Sequence, residues 1–225
     1  MDWQAAEAAL DDRGAAVVGP LLTPEDCATL RAAYDVETNF RTRVVMARHG
    51  YGSGEYKYFA YPLPPRIAAL RTDLYARLAP IANRWATTMG KPGFPPAHAE
   101  YLALCHAAGQ TRPTPLLLRY GPGDYNCLHQ DLYGDLHFPL QAAILLDRPG
   151  DDFTGGEFVL TEQRPRMQSR AEVVSLQQGQ AVIFAVNQRP VRGTRGTYRV
   201  AMRHGVSRLH TGRRHTLGII FHDAR

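Results

Sequence analysis

Short apolar or β-branched runs recur throughout the second half of the chain. They lie at residues 115–120, 140–146, 156–160, 173–176, 181–186, 198–202 and 216–221. Turn-forming glycine, proline and aspartate residues separate the runs, and no helical periodicity intervenes. Many short strands at this spacing are typical of a β-sandwich or barrel. Residues 113–225 are therefore predicted to form an antiparallel β-core.

The first 112 residues carry mainly helical signals. Residues 3–10 and 66–89 have apolar side chains at helical spacing, and Thr23 followed by Pro24 is a strong helix start. Residues 14–22 indicate a strand, and residues 90–113 indicate irregular chain. We predict one α+β domain over residues 1–225, in which residues 1–112 supply supporting helices and a substrate loop.

The substrate loop is the segment of residues 40–61, and its middle, residues 48–59, combines glycines with aromatic and basic side chains. Such a segment forms either a surface hairpin loop or a lid that closes over a planar ligand. Tyr51, Tyr56 and Phe59 are the aromatic residues that could stack on that ligand.

A short motif, His129-Gln130-Asp131, follows the first apolar run and its turn. Residues two apart on an extended backbone point to the same side, so His129 and Asp131 could bind one metal ion together. Such a pair also arises readily by chance, since the chain has nine histidines and 21 acidic residues. A metal site therefore needs a third ligand from a distant part of the chain.

The candidates for this third ligand are His204, His210, His215 and His222. His204 is favoured because it falls within a predicted strand, whereas His210 falls in the turn that follows. The returning strand would place Arg214 about opposite His204 in a hairpin. Two histidines and a carboxylate leave open positions on an octahedral ion, as in non-haem Fe(II) oxygenases. A facing arginine could bind the distal carboxylate of a chelating dicarboxylate.

Positive charge is concentrated in the last third of the chain. The net charge is +5, and residues 151–225 hold 12 of the 26 basic residues but only six acidic ones. Nearly all the bases are arginine, which either a coding bias or the recognition of anionic groups could explain. The arginines that precede His204 form either a solvated basic loop or a rim that contacts phosphate. They are Arg189, Arg192, Arg195, Arg199 and Arg203.

The number of cysteines and the length of the apolar runs indicate the cellular compartment of the protein. Three cysteines without a C-x-x-C pair argue against a disulfide framework and agree with a reducing compartment. No run approaches the roughly 18 apolar residues that a membrane span requires. The N-terminus has no basic-then-apolar signal. We expect a soluble, cytoplasmic protein that does not associate with membranes.

Five further residues are weaker candidates for the same site. Cys127 shares the side of the strand with His129, and the pairs His222-Asp223 and Asp135-His137 could line the site or hold substrate. An ordinary packed or solvent-facing side chain is the alternative for each.

The whole pattern resembles the Fe(II)/2-oxoglutarate-dependent dioxygenase superfamily over residues 114–225. The matching segments are residues 119–124, the His-Gln-Asp motif, 153–158, 179–184, 203–207 and 212–214. The lead-in helices resemble those of prolyl-hydroxylase-type members. The ending, residues 203–207 with 216–223, is similar to a bacterial branch predicted to oxidise alkylated bases in nucleic acid. Ile220 and Leu118 stand where AlkB-type repair enzymes carry an arginine and an asparagine.

This resemblance implies a double-stranded β-helix, or jelly-roll, core that uses Fe(II), 2-oxoglutarate and O₂. It implies that His129, Asp131 and His204 bind the iron and that Arg214, with Tyr120, binds 2-oxoglutarate. The implied activity is oxidative demethylation or hydroxylation of alkylated nucleobases, with DNA or RNA as the partner. One alternative is hydroxylation of a protein side chain such as proline, or of a small molecule. Another is a non-catalytic sensor of iron or 2-oxoglutarate.

Overall fold

The helices lie in the N-terminal half of the computed structural model, which describes residues 2–194 and 196–225. They are α1 (Trp3–Arg13), α2 (Pro24–Ala33), α3 (Pro65–Thr88) and α4 (His98–Ala107). Thr23 caps α2 as predicted, because its hydroxyl accepts a hydrogen bond from the backbone N–H of Asp26. The sequence does not predict α4, which lacks a side-chain cap and whose apolar residues are not confined to one face. In the described part of the chain, no helix combines the length and apolar character needed to cross a membrane.

The described residues also form fifteen strands. They are β1 (Ala15–Val18), β2 (Phe40–Val45), β3 (Gly52–Ser53), β4 (Glu55–Phe59), β5 (Leu116–Tyr120), β6 (Tyr125–His129), β7 (Leu140–Leu145), β8 (Phe153–Gly155), β9 (Phe158–Gln163), β10 (Arg170–Val174), β11 (Ala181–Ala185), β12 (Gln188–Gly193), β13 (Gly196–Val206), β14 (Leu209–Gly212) and β15 (Arg214–Ile219).

Two antiparallel sheets face each other. The larger sheet has the order β1-β11-β7-β15-β5-β4-β2, and the smaller has the order β10-β9-β13-β6-β3. Strand β12 pairs with β13 at the side of the smaller sheet, and β8 pairs with β14. The rings of Phe184 in β11 and His204 in β13 lie 4.5 Å apart, so the two sheets touch across the interior.

The larger sheet has one face toward the helices and one toward the smaller sheet. In β15, Leu217 and Ile219 join the apolar core that includes Ile67 of α3. The alternate residues Arg214 and Thr216 line a cavity between the two sheets, which we call the central cavity. Because strand side chains alternate between faces, the same strand supplies the core on one side and the cavity wall on the other.

Part of the predicted substrate loop is strand: β2 and β4 belong to the larger sheet, and β3 between them pairs with β6 of the smaller sheet. Strand β4 pairs with β2 on one side and with β5 on the other. Strands β1, β2 and β4 complete this sheet, so residues 1–112 contribute to the β-core as well as to its support. The glycines that suggested a mobile loop instead permit tight turns between short strands.

The predicted hairpin between His204 and Arg214 is also wrong. His204 lies in β13 of the smaller sheet, and Arg214 lies in β15 of the larger sheet. Strand β14 intervenes and pairs with β8, so the chain crosses from one sheet to the other. The two residues face each other across the central cavity and do not belong to neighbouring strands.

Candidate active site

Three side chains that sequence reasoning selected converge at the central cavity. Ligand atoms of His129, Asp131 and His204 all lie within 4.8 Å of one another. The Nε2 atom of His129 lies 3.4 Å from Asp131 Oδ1, and Nε2 of His204 lies 3.3 Å from Asp131 Oδ2. His129 and His204 are cross-strand partners in β6 and β13, which explains how distant positions meet.

Local contacts orient the two histidine rings. Nδ1 of His129 lies 2.7 Å from the carbonyl oxygen of Cys127. A carbonyl only accepts hydrogen bonds, so Nδ1 carries the proton and Nε2 keeps its lone pair for a metal. The rings of Phe184 and Phe158 pack against His204 at 4.5 and 5.9 Å.

Burial and ion pairing act on the protonation of these three groups. Burial tends to raise the pKa of Asp131, but its hydrogen bonds and charge interactions with the two histidines hold this pKa well below the usual value. Burial lowers the pKa of His204, whereas contacts with Asp131 outweigh burial and raise the pKa of His129. The site thus offers one anionic oxygen ligand, together with imidazole nitrogens that bind metal when neutral.

A buried arginine lies on the opposite wall of the cavity. Arg214 is only 2% exposed, and its guanidinium donates a hydrogen bond of 2.6 Å to Thr216 Oγ1. Among the described residues, no carboxylate lies within 4.0 Å of this guanidinium. Burial lowers the pKa of Arg214, which is the sign of a charge without sufficient compensation.

Tyr120 accompanies Arg214 on the neighbouring strand. The two residues are directly paired between β5 and β15, and the guanidinium lies 5.7 Å from the phenol ring. The Tyr120 hydroxyl and Arg214 Nε are buried, and neither has a hydrogen-bond partner among the described residues. Buried polar groups normally have partners, so these orphaned atoms point to a polar ligand that binds beside them.

The cavity and its donor set fit a metal together with a small dicarboxylate. Its volume of about 360 Å³ lies within the range of small-molecule sites. A structural zinc site would need four protein ligands, whereas two histidines and one carboxylate suit a transition-metal ion such as Fe(II) that keeps open positions. The triad and Arg214 both line this cavity, so one ligand could contact the metal and the arginine.

Two of the three predicted aromatic contacts lie at the central cavity, and the third does not. Tyr51 lines the cavity mouth with half of its surface exposed, and its ring stacks on His49 at 5.3 Å. Tyr56 points from β4 into the cavity. Phe59 is wrong as a substrate contact, because it lies on the other face of β4 and packs against Phe40 at 4.8 Å with no exposed surface.

The four described arginines of the segment that precedes His204 do not line the central cavity. Arg189 is buried and structural: it binds the carbonyl oxygens of residues 11 and 12 and the carboxylate of Glu162. Arg192 and Arg203 are exposed but line no part of the cavity, and Arg199 donates to the Met89 carbonyl at 2.6 Å. Arg195 lies outside the described residues.

Of the five weaker candidates, one lies at the central cavity and four lie elsewhere. Cys127 is exposed and lines the cavity. His222 and Asp223 do not line it, and Asp223 forms a buried ion pair with Arg71 at 2.8 Å. Asp135 and His137 lie in a second groove, beside α3 and α4.

Sequence reasoning missed two residues that contact Asp131, namely Tyr133 and Gln141. Tyr133 could have been found from its spacing, since it stands two residues after Asp131. Gln141 carries no such signal, because its contact depends on how β7 lies in the larger sheet.

Solved structures with the same fold are oxygenases of the predicted superfamily. A prolyl-4-hydroxylase from Pseudomonas putida aligns with a TM-score of 0.57 and 15% identity, covering 100% of both chains. An oxidoreductase of the 2OG-Fe(II) oxygenase family from Burkholderia pseudomallei also aligns with a TM-score of 0.57 and 15% identity, covering 100% of this chain and 93% of that one. These likenesses confirm the α+β jelly-roll fold.

Sequence comparison identifies relatives with higher sequence identity. The uncharacterized proteins Rv2227 and MT2286, from two strains of Mycobacterium tuberculosis, are each 50% identical over 167 residues, which is 74% of this chain and 72% of theirs. Residues 54–224 match the model of a family called Oxygenase-NA, described as an oxygenase "catalysing oxidative methylation of damaged DNA". This match includes α3, α4 and all three residues of the triad, and the chain therefore belongs to the Oxygenase-NA family of oxygenases.

Proposed function

We propose that this oxygenase uses Fe(II), 2-oxoglutarate and O₂ to oxidise N-alkyl groups on nucleobases. His129, Asp131 and His204 would hold the iron, and Arg214 with Tyr120 would bind the distal carboxylate of 2-oxoglutarate. The observation that carries this proposal is the buried guanidinium of Arg214, which has no acidic partner and shares a cavity with the triad.

The protein's own residues contribute positioning and exclusion of water. Arg214 offers a charged donor that suits a carboxylate, and its bond to Thr216 fixes the direction of the guanidinium. Phe158 and Phe184 form an apolar wall beside His204, which limits the access of water. Fe(II), when bound in such a triad, supplies the activation of O₂.

The overall reaction balances in electrons and atoms. Oxidative decarboxylation of 2-oxoglutarate to succinate and CO₂ provides two electrons, and a substrate C–H bond provides two more, so that O₂ is fully reduced. One oxygen atom enters succinate and the other forms a hydroxyl group on the substrate carbon. If that carbon is an N-methyl group, the N–CH₂OH product breaks its C–N bond, with the proton passing to nitrogen, and releases formaldehyde.

Two observations support a nucleobase as the substrate. The family description names damaged DNA. The exposed, stacked rings of Tyr51 and His49 at the cavity mouth offer a flat surface of the kind on which bases stack. A base within a duplex would have to be flipped out to reach the triad, so a single strand is the simpler substrate.

The test is turnover by the Fe(II)-loaded protein with 2-oxoglutarate, O₂ and a single-stranded oligonucleotide that carries one N-methylated base. We expect succinate, with formaldehyde in equal amount. The unmethylated oligonucleotide of the same sequence is the control and should yield no formaldehyde. Succinate formed only with a proline-containing peptide would replace the nucleobase by a protein substrate. Retained metal and no turnover with any substrate would favour a sensor.

A further inference from the structure

Asp131 differs from the two histidines in how the fold holds it. His129 ends β6 and His204 lies within β13, so the ladder of the smaller sheet fixes both backbones. Asp131 lies beyond the end of β6, in chain without regular structure that continues to residue 139. The position of this carboxylate must therefore come from side-chain contacts.

Each carboxylate oxygen of Asp131 accepts a hydrogen bond from a separate residue. The Tyr133 hydroxyl donates to Oδ1 at 2.7 Å, and the Gln141 side-chain amide donates to Oδ2 at 2.9 Å. Gln141 is 5% exposed, and a carboxylate only accepts, so the amide can present only its NH₂ group to Asp131. The two donors approach from different parts of the chain, which leaves the carboxylate little freedom to rotate.

A third contact anchors the segment that carries Asp131. The Gln130 amide donates to the carbonyl oxygen of Met202 at 2.7 Å and to Asn187 Oδ1 at 3.0 Å. Met202 stands two residues before His204 on β13. Gln130 thus links the segment that carries Asp131 to β13, the strand that carries His204.

We propose that Tyr133 and Gln141 are positioning residues that lock the Asp131 carboxylate, one oxygen toward each histidine, and thereby set the metal affinity of the site. This inference rests on the proposed metal-binding function. Residues that orient a metal ligand through hydrogen bonds typically change metal affinity by about 10- to 100-fold when they are removed. We expect a loss of this size for each donor.

The test is a calorimetric titration of the metal-free protein with Co(II). Air does not readily oxidise this ion, in contrast to Fe(II). Tyr133→Phe and Gln141→Met each remove one donor and keep most of the side-chain volume. Tyr75→Phe and Gln178→Met are matched controls, because each loses a bond of 2.8 Å to a backbone carbonyl elsewhere. The first pair should bind Co(II) about 10- to 100-fold more weakly, and the controls should bind as the wild type does.

A double-mutant cycle separates positioning from a general structural role. In an Asp131→Ala protein, Tyr133→Phe should cause no further loss of Co(II) affinity, since the group that it positions is gone. An equal loss in both backgrounds, or wild-type affinity in both single variants, would overturn the inference. If Gln141→Met does not fold, Tyr133→Phe alone decides. A wild-type protein that binds no Co(II) would instead refute the metal site itself, and this inference with it.

Discussion

At the scale of single residues, a glycine packs closely against the side chain of Arg214. Gly156 has φ +67°, and a Cβ atom there would lie 3.0 Å from Arg214 Cδ and 2.8 Å from Leu209 Cδ1. We predict that Gly156→Ala displaces the guanidinium and weakens 2-oxoglutarate binding, measured by calorimetry. Gly150→Ala is the control, since Gly150 also has positive φ but no neighbour within 4 Å. Each variant carries a backbone cost of about 1–2 kcal/mol, so equal affinities in both would contradict this role of Gly156.

Tyr51 allows a second prediction at this scale. Its backbone is held on both sides, because its N–H donates to the Met46 carbonyl and its own carbonyl accepts from the Cys127 N–H. Stacking of a base on an aromatic ring contributes about 1–3 kcal/mol. We expect Tyr51→Ala to weaken binding of a methylated oligonucleotide roughly 5- to 160-fold, measured by fluorescence anisotropy. Tyr51→Phe, which keeps the ring, should retain affinity, and 2-oxoglutarate binding should not change in either variant.

At the scale of elements, the β12–β13 hairpin is joined to the helical layer by Arg189. This side chain is buried and holds two carbonyl groups at the end of α1 together with Glu162 of β9. We predict that Arg189→Met lowers the free energy of unfolding by about 3 kcal/mol, as expected when a buried ion pair loses one partner. Arg192→Met, at an exposed position of the same strand, should change it by less than about 0.5 kcal/mol. Urea denaturation measures both values, and similar values would refute the buried role.

The elements also show what could be predicted from the sequence. The start of α2 at Thr23 and the recurring strands were correct, because caps and alternation are local signals. The pairing of His129 with Asp131 followed from their spacing along the chain. Which sheet receives a strand is a non-local property, so the relation of His204 to Arg214 was misjudged. The hairpin of β2 and β4 resembles a loop in sequence because its burial depends on β5, which begins 57 positions after Phe59.

At the scale of the whole molecule, buried histidines link stability to pH. His98 of α4 lies 2.8 Å from the Phe221 carbonyl, near the buried pair of Arg71 and Asp223. Burial, aided by the charge of Arg71, lowers the pKa of His98 from 6.5 to about 4. The unfolded chain therefore takes up a proton at higher pH than the folded protein does, so stability is full above pH 6.5 and falls as the pH drops toward 4.

Between pH 6.5 and 4, the titration of His98 is expected to lower the free energy of unfolding by an amount on the order of 3 kcal/mol. Comparison with His98→Gln isolates it, because glutamine can donate to the same carbonyl and does not titrate. The free energy of unfolding, measured by denaturation between pH 7 and 4.5, should fall less steeply in the variant than in the wild type. Parallel curves for the two proteins would mean that His98 is not the group responsible.

Under the proposed function, one cavity binds both a metal and 2-oxoglutarate, with Arg214 as the anchor of the distal carboxylate. The most direct measurement is an anaerobic titration of 2-oxoglutarate into the Fe(II)-loaded protein, for the wild type, Arg214→Met and the surface control Arg192→Met. We predict saturable binding that is at least about tenfold weaker in Arg214→Met, since a hydrogen bond to a charged group contributes about 1.5–3 kcal/mol, and unchanged in Arg192→Met. Equal affinity in the wild type and Arg214→Met would contradict the account.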